Sequence, residues 1–461
     1  MMREAARSLL KQPAPMALRG KRVLVLGLGD TGLSAARWIA HEKGLVRIAD
    51  SRKTPPRGGA FKGELHTGKF KPGLLKDVDL VCASPGIALT EPIFLEAIKR
   101  QIPIVGDIEL FAWAVSKTPA KVLAVTGTNG KSTVTALTGH LLRTAGVDCE
   151  VAGNISPPAL DALRKRKAAP AAWVLELSSY QLETTWSLAL HAAAMLNLSE
   201  DHLDRYAGLA EYAAAKARVF QGGGVQVLNR CDSASMALAA AGRAQVTFGL
   251  DAPPLPEDFG VAPGSGGGWL ARGATAILAV DELPISGAHN VANALAACAL
   301  AHEAGAPLAT LAEGLRSFHG LPHRMQRVAL RDGVAWFDDS KGTNVGATVA
   351  ALRGLAQRAI VILGGEGKGQ DFAPLAPAVK AQAKHVLLIG RDAAPIRRAL
   401  AKSGVALESM PSLESAVKRA AQLARPGDAV LLSPACASFD MFRDYRHRGE
   451  AFAAAVKALE P

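Results

Sequence analysis

The chain has 461 residues, 49% hydrophobic and 20% charged, with a formal net charge of +12. That length exceeds what one apolar core serves, so three domains are expected, and the composition excludes a disordered or fibrous chain. No apolar run reaches the ~18–20 residues of a membrane-spanning helix, and five scattered cysteines without a CxxC pair indicate neither zinc nor disulfides, which points to a reducing, cytoplasmic setting.

The first segment, MMREAARSLLKQPAPM, is basic but lacks the apolar stretch of a signal peptide, so a frayed tail is expected there. Short β-branched runs then alternate with Ala/Leu-rich helical stretches, the pattern of an α/β chain with mostly parallel sheets. The first series holds RVLVLG (22–27), LVRIAD (45–50), DLVCASPG (79–86) and PIVGD (103–107). Between its first two strands, Gly27 to Gly32 fit G-x-G-x-x-G, and Asp50 closes the second strand. Taken alone, this fits a dinucleotide-binding oxidoreductase with Asp50 on a ribose hydroxyl; a tight turn without a ligand fits equally.

A second series runs through KVLAVTG (121–127), AWVLELSS (172–179), MLNLSED (195–201) and VQVLNR (225–230). Directly after KVLAVT stand Gly127, Thr128, Asn129, Gly130, Lys131, Ser132 and Thr133, followed by an apolar stripe of Val134, Leu137, Leu141 and Leu142 at helical spacing. Strand, glycine loop and helix in that order point backbone N–H groups and a helix dipole at an anion. Lys131 can then reach nucleotide phosphates and the Ser132 hydroxyl can ligate Mg²⁺, although Val125 stands where the usual motif has its first glycine. Glu176, at a strand end, suits an acid near that metal, and His202 lies among acids in NLSEDHLDRY. The basic run Arg164 to Lys167 reads as a loop; no aromatics interleave with it, so nucleic acid is not expected as a partner.

Pro263–Gly268 reads as a surface loop inside the second series. The third series holds VAWFDDS (334–340), AIVILGG (359–365), HVLLIG (385–390) and AVLLSPA (429–435). Boundaries near 115 and 319 divide the chain into domains 1–115, 116–319 and 320–461.

Further motifs follow in order: Gly153-Asn154-Ile155, LELSSYQLE (175–183), NLSEDHLDRY (197–206), YAAAKARVF (212–220), SGAHNVANA (286–294), GLPHRM (320–325), DDSKGTN (338–344), LGGEGKGQDF (363–372) and SPACASFDMF (433–442). Together with GTNGKST they resemble the Mur ligase family, ATP-dependent amide ligases of peptidoglycan precursors, over nearly the whole chain. GLGDTGLS (27–34), ASPGIAL (83–89), GDIELF (106–111) and SPACASFD (433–440) are similar to the branch that joins D-glutamate to UDP-N-acetylmuramoyl-L-alanine; a DNPR-type motif for another amino acid is missing.

The resemblance implies a Rossmann-like N-terminal domain for the UDP end, a central P-loop ATPase-type domain and a Rossmann-like C-terminal domain. It implies ATP and Mg²⁺ as cofactors, a monomer, and no membrane insertion. It places the diphosphate near Asp30 and Thr31 and the uridine near Asp50, Ser51 and Arg52. Lys131 and Ser132 fall to the ATP phosphates, Asn290 and Asn293 to the nucleobase, and Asp339 to the ribose or metal. Ser132, Glu176, His202 and Lys216 as a carbamate become Mg²⁺ ligands. Asn154 and Ser178 contact the muramoyl substrate, while His323 and Arg324 reach toward the reacting carboxylate. Lys341, Thr343, Lys368, Ser438 and Tyr445 are assigned to D-glutamate. Without the resemblance, Lys216 in GLAEYAAAKARVF would be an ordinary solvated helix lysine.

Overall fold

The computed structural model describes residues 9–459 apart from 62, 203, 204, 265, 266 and 286. Among the described residues three sheets follow one another along the chain. Strands β1 (Arg22–Leu26), β2 (Leu45–Asp50), β3 (Glu64–Thr67), β4 (Leu80–Ala83) and β5 (Ile104–Val105) pair in parallel in the order β3-β2-β1-β4-β5.

The second sheet holds β6 (Lys121–Thr126), β7 (Cys149–Gly153), β8 (Ala172–Glu176), β9 (Ala192–Met195), β10 (Val225–Asn229), β11 (Gln245–Phe248), β12 (Phe259–Ala262), β13 (Trp269–Arg272) and β14 (Thr275–Ala279). Their order is β14-β13-β12-β11-β10-β9-β6-β8-β7, parallel except where β13 pairs with β12 and β14. The third holds β15 (Gln326–Arg331), β16 (Val334–Asp338), β17 (Ala359–Gly364), β18 (Ala383–Ile389), β19 (Ala406–Ser409) and β20 (Ala429–Leu432) in the order β15-β16-β20-β17-β18-β19, with only β15–β16 antiparallel. Strands such as AIVILG, and KVLAVT between its end residues, are apolar because helices cover both faces of a parallel sheet.

The register of the central sheet builds the site. Val125 pairs with Glu176 and Thr126 with Met195, so the chain leaves β6, β8 and β9 at one carboxyl edge. A parallel sheet binds its ligands outside that edge.

The cores are divided unevenly. One apolar cluster runs from Val23, Val25 and Ile39 through Phe111 to Trp173, Leu175 and Met195, joining the first and second sheets. Within it, Phe111 meets Trp173 edge to face at 5.1 Å. The third sheet has its own two clusters, one on each face.

Several expectations need correction. The strand expected at MLNLSED is Ala192–Met195, and residues 196–201 are a loop; its run of small alanines reads as helix by propensity, and burial against both layers overrides that. Asp107 does not close a strand but opens the helix Asp107–Val115. Arg164 and Lys165 lie on the helix Ala159–Lys165, not in a loop, and Arg166 pairs with Asp148 at 2.5 Å and Glu150 at 3.1 Å, which neutralises much of that run. The expected tail is packed from Leu10 onward, with Leu18 buried in the core; residues 1–8 lie outside the described residues. The loop Pro263–Gly268 joins β12 to β13, and its residues 265 and 266 lie outside the described residues.

Candidate active site

The phosphate loop takes the expected form. Lys131–Thr144 is helical and Val134, Leu137, Leu141 and Leu142 are fully buried. Gly130 caps that helix at φ +83°, and a Cβ there would lie 2.4 Å from Asn293 Oδ1, so only glycine fits both the backbone and the space. Lys131 Nζ folds back onto its own loop, donating to the carbonyls of Gly127 at 2.9 Å and Thr128 at 2.8 Å. Burial lowers its pKa, and the charge of Arg324 adds to this against Glu176 and Asp201.

Glu176 stands beside the loop with its carboxylate half satisfied. Oε1 accepts from Asn154 Nδ2 at 2.8 Å, whereas Oε2 is buried without a partner. Burial pushes this carboxyl up, but the charges of Lys131 and Arg324 and the hydrogen bond of Asn154 hold it below the usual range.

Lys216 is the largest departure from what its local sequence suggests. It sits on the helix Leu209–Ala217, is 1% exposed, and donates to Gly127 O at 2.8 Å beneath the phosphate loop. Its Nζ also lies 4.7 Å from the centre of the Tyr212 ring. Burial, then the charge of Lys131, drives its pKa well below the ordinary lysine value, so the neutral amine is accessible.

His202 has a positive φ of 56° and lies 2.7 Å from Tyr180 Oη through Nδ1, with Nε2 3.8 Å from Asp201. Burial lowers its pKa to about 4, so the imidazole is neutral.

The third domain closes the cleft. Arg324 donates to Ser132 Oγ at 2.7 Å, and His323, at φ +62°, contacts Asp338 Oδ2 at 2.6 Å through Nδ1. Lys341 Nζ lies 3.9 Å above the Tyr445 ring, and burial with the Arg324 charge lowers it to about 8. Asp339 is pushed up to about 7 by burial, although Ser433 Oγ donates to it at 2.7 Å.

Two adjoining cavities result. One, of about 390 Å³, takes in Asn290, Asn293, Thr133 and Asp339. The other, of about 400 Å³, gathers Thr128, Lys131, Asn154, Glu176, Ser178, His202 and Lys216 from the central domain. It adds Thr343, Lys368, Ser438 and Tyr445 from the C-terminal domain, and Pro85 and Gly86 from the N-terminal one. Asn129, Gly130, Arg324 and Lys341 line both.

The expected uridine and diphosphate residues stand elsewhere, at the carboxyl edge of the first sheet. Both Asp50 oxygens are occupied there, by Leu28 N at 2.7 Å and by the Arg52 backbone and guanidinium. Ser51 and Arg52 are exposed, and Asp30, next to Thr31, pairs with Arg57 at 2.6 Å. A Cβ on Gly32 would approach Gly27 O to 1.9 Å, so the third glycine of that motif packs helix against strand.

Sequence reasoning missed the residues that orient these groups. Tyr180 holds His202, and Gln181 caps the Ser178 helix while donating to buried Asp107 at 3.0 Å. Both belong to the motif LELSSYQLE, but nothing in its spacing shows which neighbour each meets. Among the described residues no group of three or more His, Cys, Asp or Glu side chains could hold a metal alone. An ion here therefore needs the Ser132 hydroxyl, the unpartnered Glu176 oxygen, and ligand oxygens. Among the described residues no helix is long and apolar enough to cross a membrane.

A phosphate loop at the carboxyl edge of a parallel sheet, roofed by a second α/β domain, is the arrangement of a nucleotide-binding protein, and the comparisons give its family. Models of the Mur ligase middle domain, the Mur ligase glutamate ligase domain and the MurD-like N-terminal domain match residues 125–301, 323–436 and 21–106. The chain belongs to the Mur ligase family. It is 53% identical to the UDP-N-acetylmuramoylalanine–D-glutamate ligase of Nitrosospira multiformis, over 96% of this chain and 97% of that protein. The enzyme of the same name from Methylobacillus flagellatus is also 53% identical, over 96% and 98%. Among solved structures, the UDP-N-acetylmuramate–alanine ligase of Thermotoga maritima superposes with a TM-score of 0.63 at 19% identity, covering 95% of this chain and 99% of that one. A pseudomurein peptide ligase of Methanothermus fervidus gives 0.59 at 18% identity, covering 90% and 96%, and both show the shared fold.

Proposed function

We propose that this chain joins D-glutamate to UDP-N-acetylmuramoyl-L-alanine, with ATP as phosphoryl donor, in the cytoplasmic synthesis of peptidoglycan precursors. The observation that carries this reading is the convergence of Lys131, Glu176, Lys216, Arg324 and Lys341 on one cleft adjoining a nucleotide-sized cavity. Fifty-three per cent identity to enzymes named for that reaction supports the choice of substrates. The reading divides the chain at 115 and 319 and takes it as a monomer.

A carboxylate resists amines until one oxygen becomes a leaving group. The L-alanyl carboxylate therefore attacks the γ-phosphorus of ATP, ADP departs, and an acyl phosphate forms. Lys131 and Arg324 offset the charge that develops on the transferring phosphoryl group. The amine of D-glutamate attacks the acyl carbon, a proton is lost, and phosphate leaves. Lys341, Thr343, Lys368, Ser438 and Tyr445 hold D-glutamate, and His323, bound to Asp338 at the end of β16, orients the segment that carries Lys341 and Thr343. Asn154 and Ser178 hold the muramoyl end, with the diphosphate and uridine on the Asp30–Thr31 and Asp50–Arg52 edge of the first domain. Asn290 and Asn293 read the nucleobase edge, and Asp339 the ribose.

Mg²⁺ would be held by Ser132 and the unpartnered oxygen of Glu176 on one side, and by His202 with Lys216 on the other. When bound, it neutralises phosphate oxygens. Lys216 joins that set as a carbamate: its neutral amine adds to CO₂ and loses a proton, turning a cation into a two-oxygen anion. The depressed pKa and burial of Lys216 support this chemistry.

The test is phosphate release from ATP with each substrate pair. Release is expected only with UDP-N-acetylmuramoyl-L-alanine and D-glutamate together. Equal release with L-glutamate, or without the UDP-sugar, would overturn the assignment.

A further inference from the structure

Asn344 belongs to the C-terminal domain, yet its side chain reaches the central one. It is the N-cap of the helix Val345–Gly354, and its Oδ1 accepts from Ala347 N at 2.8 Å. That bond fixes the amide orientation, because the oxygen is used at home and Nδ2 must point away. Nδ2 then donates to Asn129 Oδ1 at 3.1 Å and to Asp201 Oδ2 at 3.2 Å. Asn344 is 5% exposed, so these bonds form largely out of water, where an unmade one is costly.

The consequence falls on Asn129. Its backbone is clamped by Asn197, whose Oδ1 accepts from Asn129 N at 2.9 Å and whose Nδ2 donates to Asn129 O at 3.2 Å. What remains undetermined is which end of the Asn129 amide faces the cleft. By occupying Oδ1, Asn344 turns the donor end, Nδ2, outward. Among the described residues that donor makes no hydrogen bond to protein, and Asn129 lines both cavities, where a nucleotide's phosphate chain would pass. The helix start also sits tightly on the loop: a Cβ at Gly346 would lie 3.3 Å from Asn129 Nδ2.

We propose that Asn344 is a positioning residue, which sets the Asn129 amide so that an N–H donor, not a carbonyl, faces the transferring phosphoryl group. The inference rests on the ligase reading above. Because the contact spans two domains, it makes that donor available only when the C-terminal domain is closed.

Three variants separate this role from helix capping. Asn344→Ser keeps a cap oxygen but cannot reach Asn129, Asn344→Ala loses both, and Asn129→Ala removes the target. Turnover with saturating substrates, KM for ATP and the thermal unfolding midpoint are measured for each and for Asn344→Ser/Asn129→Ala. Asn344→Ser is expected to lose turnover about tenfold while its unfolding midpoint stays above that of Asn344→Ala, which also loses the cap. The double variant is expected to be no slower than Asn129→Ala alone, since both changes remove one interaction. Wild-type turnover in Asn344→Ser, or losses that multiply in full in the double variant, would overturn the proposal. A wild-type enzyme that releases no phosphate with the two substrates would instead overturn the ligase reading.

Discussion

Two buried carboxylates stand at carboxyl ends of parallel strands, Asp50 on β2 and Glu176 on β8, and they are finished differently. Asp50 receives Leu28 N, Arg52 N and two guanidinium donors, so no oxygen remains for a ligand. Glu176 receives Asn154 on one oxygen and nothing on the other. An acid completed by its own chain stabilises that chain. An acid left incomplete among lysines is stabilised by what it will bind, because a buried unpaired oxygen costs free energy.

The comparison is most sharply broken at the bottom of the cleft. Lys216→Ala is expected to lower turnover by about a thousandfold, the scale of removing a charged partner from phosphoryl transfer. A small carboxylic acid such as formate should restore part of the rate by supplying the missing oxygens. Intact-protein mass of the active enzyme showing a plain amine, together with full activity of the variant, would remove Lys216 from the site.

Glu176→Gln comes next, with turnover reduced about a hundredfold and the Mg²⁺ requirement raised. Its unfolding midpoint should fall modestly, since the cations that hold its carboxyl below the usual range lose their counter-charge. A lower midpoint with normal turnover would make Glu176 a structural acid like Asp50.

Lys341→Ala should raise the D-glutamate requirement about tenfold, through one lost charge-assisted hydrogen bond. Because burial lowers Lys341 to about 8, its cation is present below that pH and lost above it. KM for D-glutamate in the wild type should therefore climb as pH rises through about 8. The same climb in Lys341→Ala would assign it to another group.

Asp50→Asn is expected to act mainly on stability. Burial raises the Asp50 pKa, but the Arg52 side chain and two backbone N–H groups outweigh it and bring the value from 3.8 to about 2. That shift corresponds to about 2 kcal/mol, present above about pH 4 and lost as the pH falls toward 2. Denaturant titrations at pH 7 and pH 3 should differ less in the variant than in the wild type. Reduced affinity for the UDP-sugar without lost stability would return Asp50 to substrate binding.

Much of this was legible before any coordinates. GTNGKST follows its strand and opens its helix as the loop chemistry demands, and Glu176 ends β8 where an acid was sought. Lys216 shows the limit: its alanine neighbours say nothing of Gly127 in the phosphate loop, 89 residues earlier, which only the folded helix brings within 2.8 Å. Asn344 was inside a quoted motif but gained a role only when its two partners, on another domain, were known. The strands β12 to β14 were missed because short antiparallel segments flanked by glycines carry little periodic signal.

The apolar core that runs unbroken from β1 through Phe111 and Trp173 to β9 also bears on how the chain comes apart. Two lobes that share an interior cannot melt separately, since either alone would bare the other's buried face. The C-terminal lobe keeps its own interior and meets the rest through hydrogen bonds such as Arg324 to Ser132 and Asn344 to Asn129. Heating should thus produce two calorimetric transitions from three sheets, and nucleotide should pull them together by bridging the lobes. The same economy gives the ligase one jaw of two fused sheets and a second jaw pinned to it by a few polar contacts.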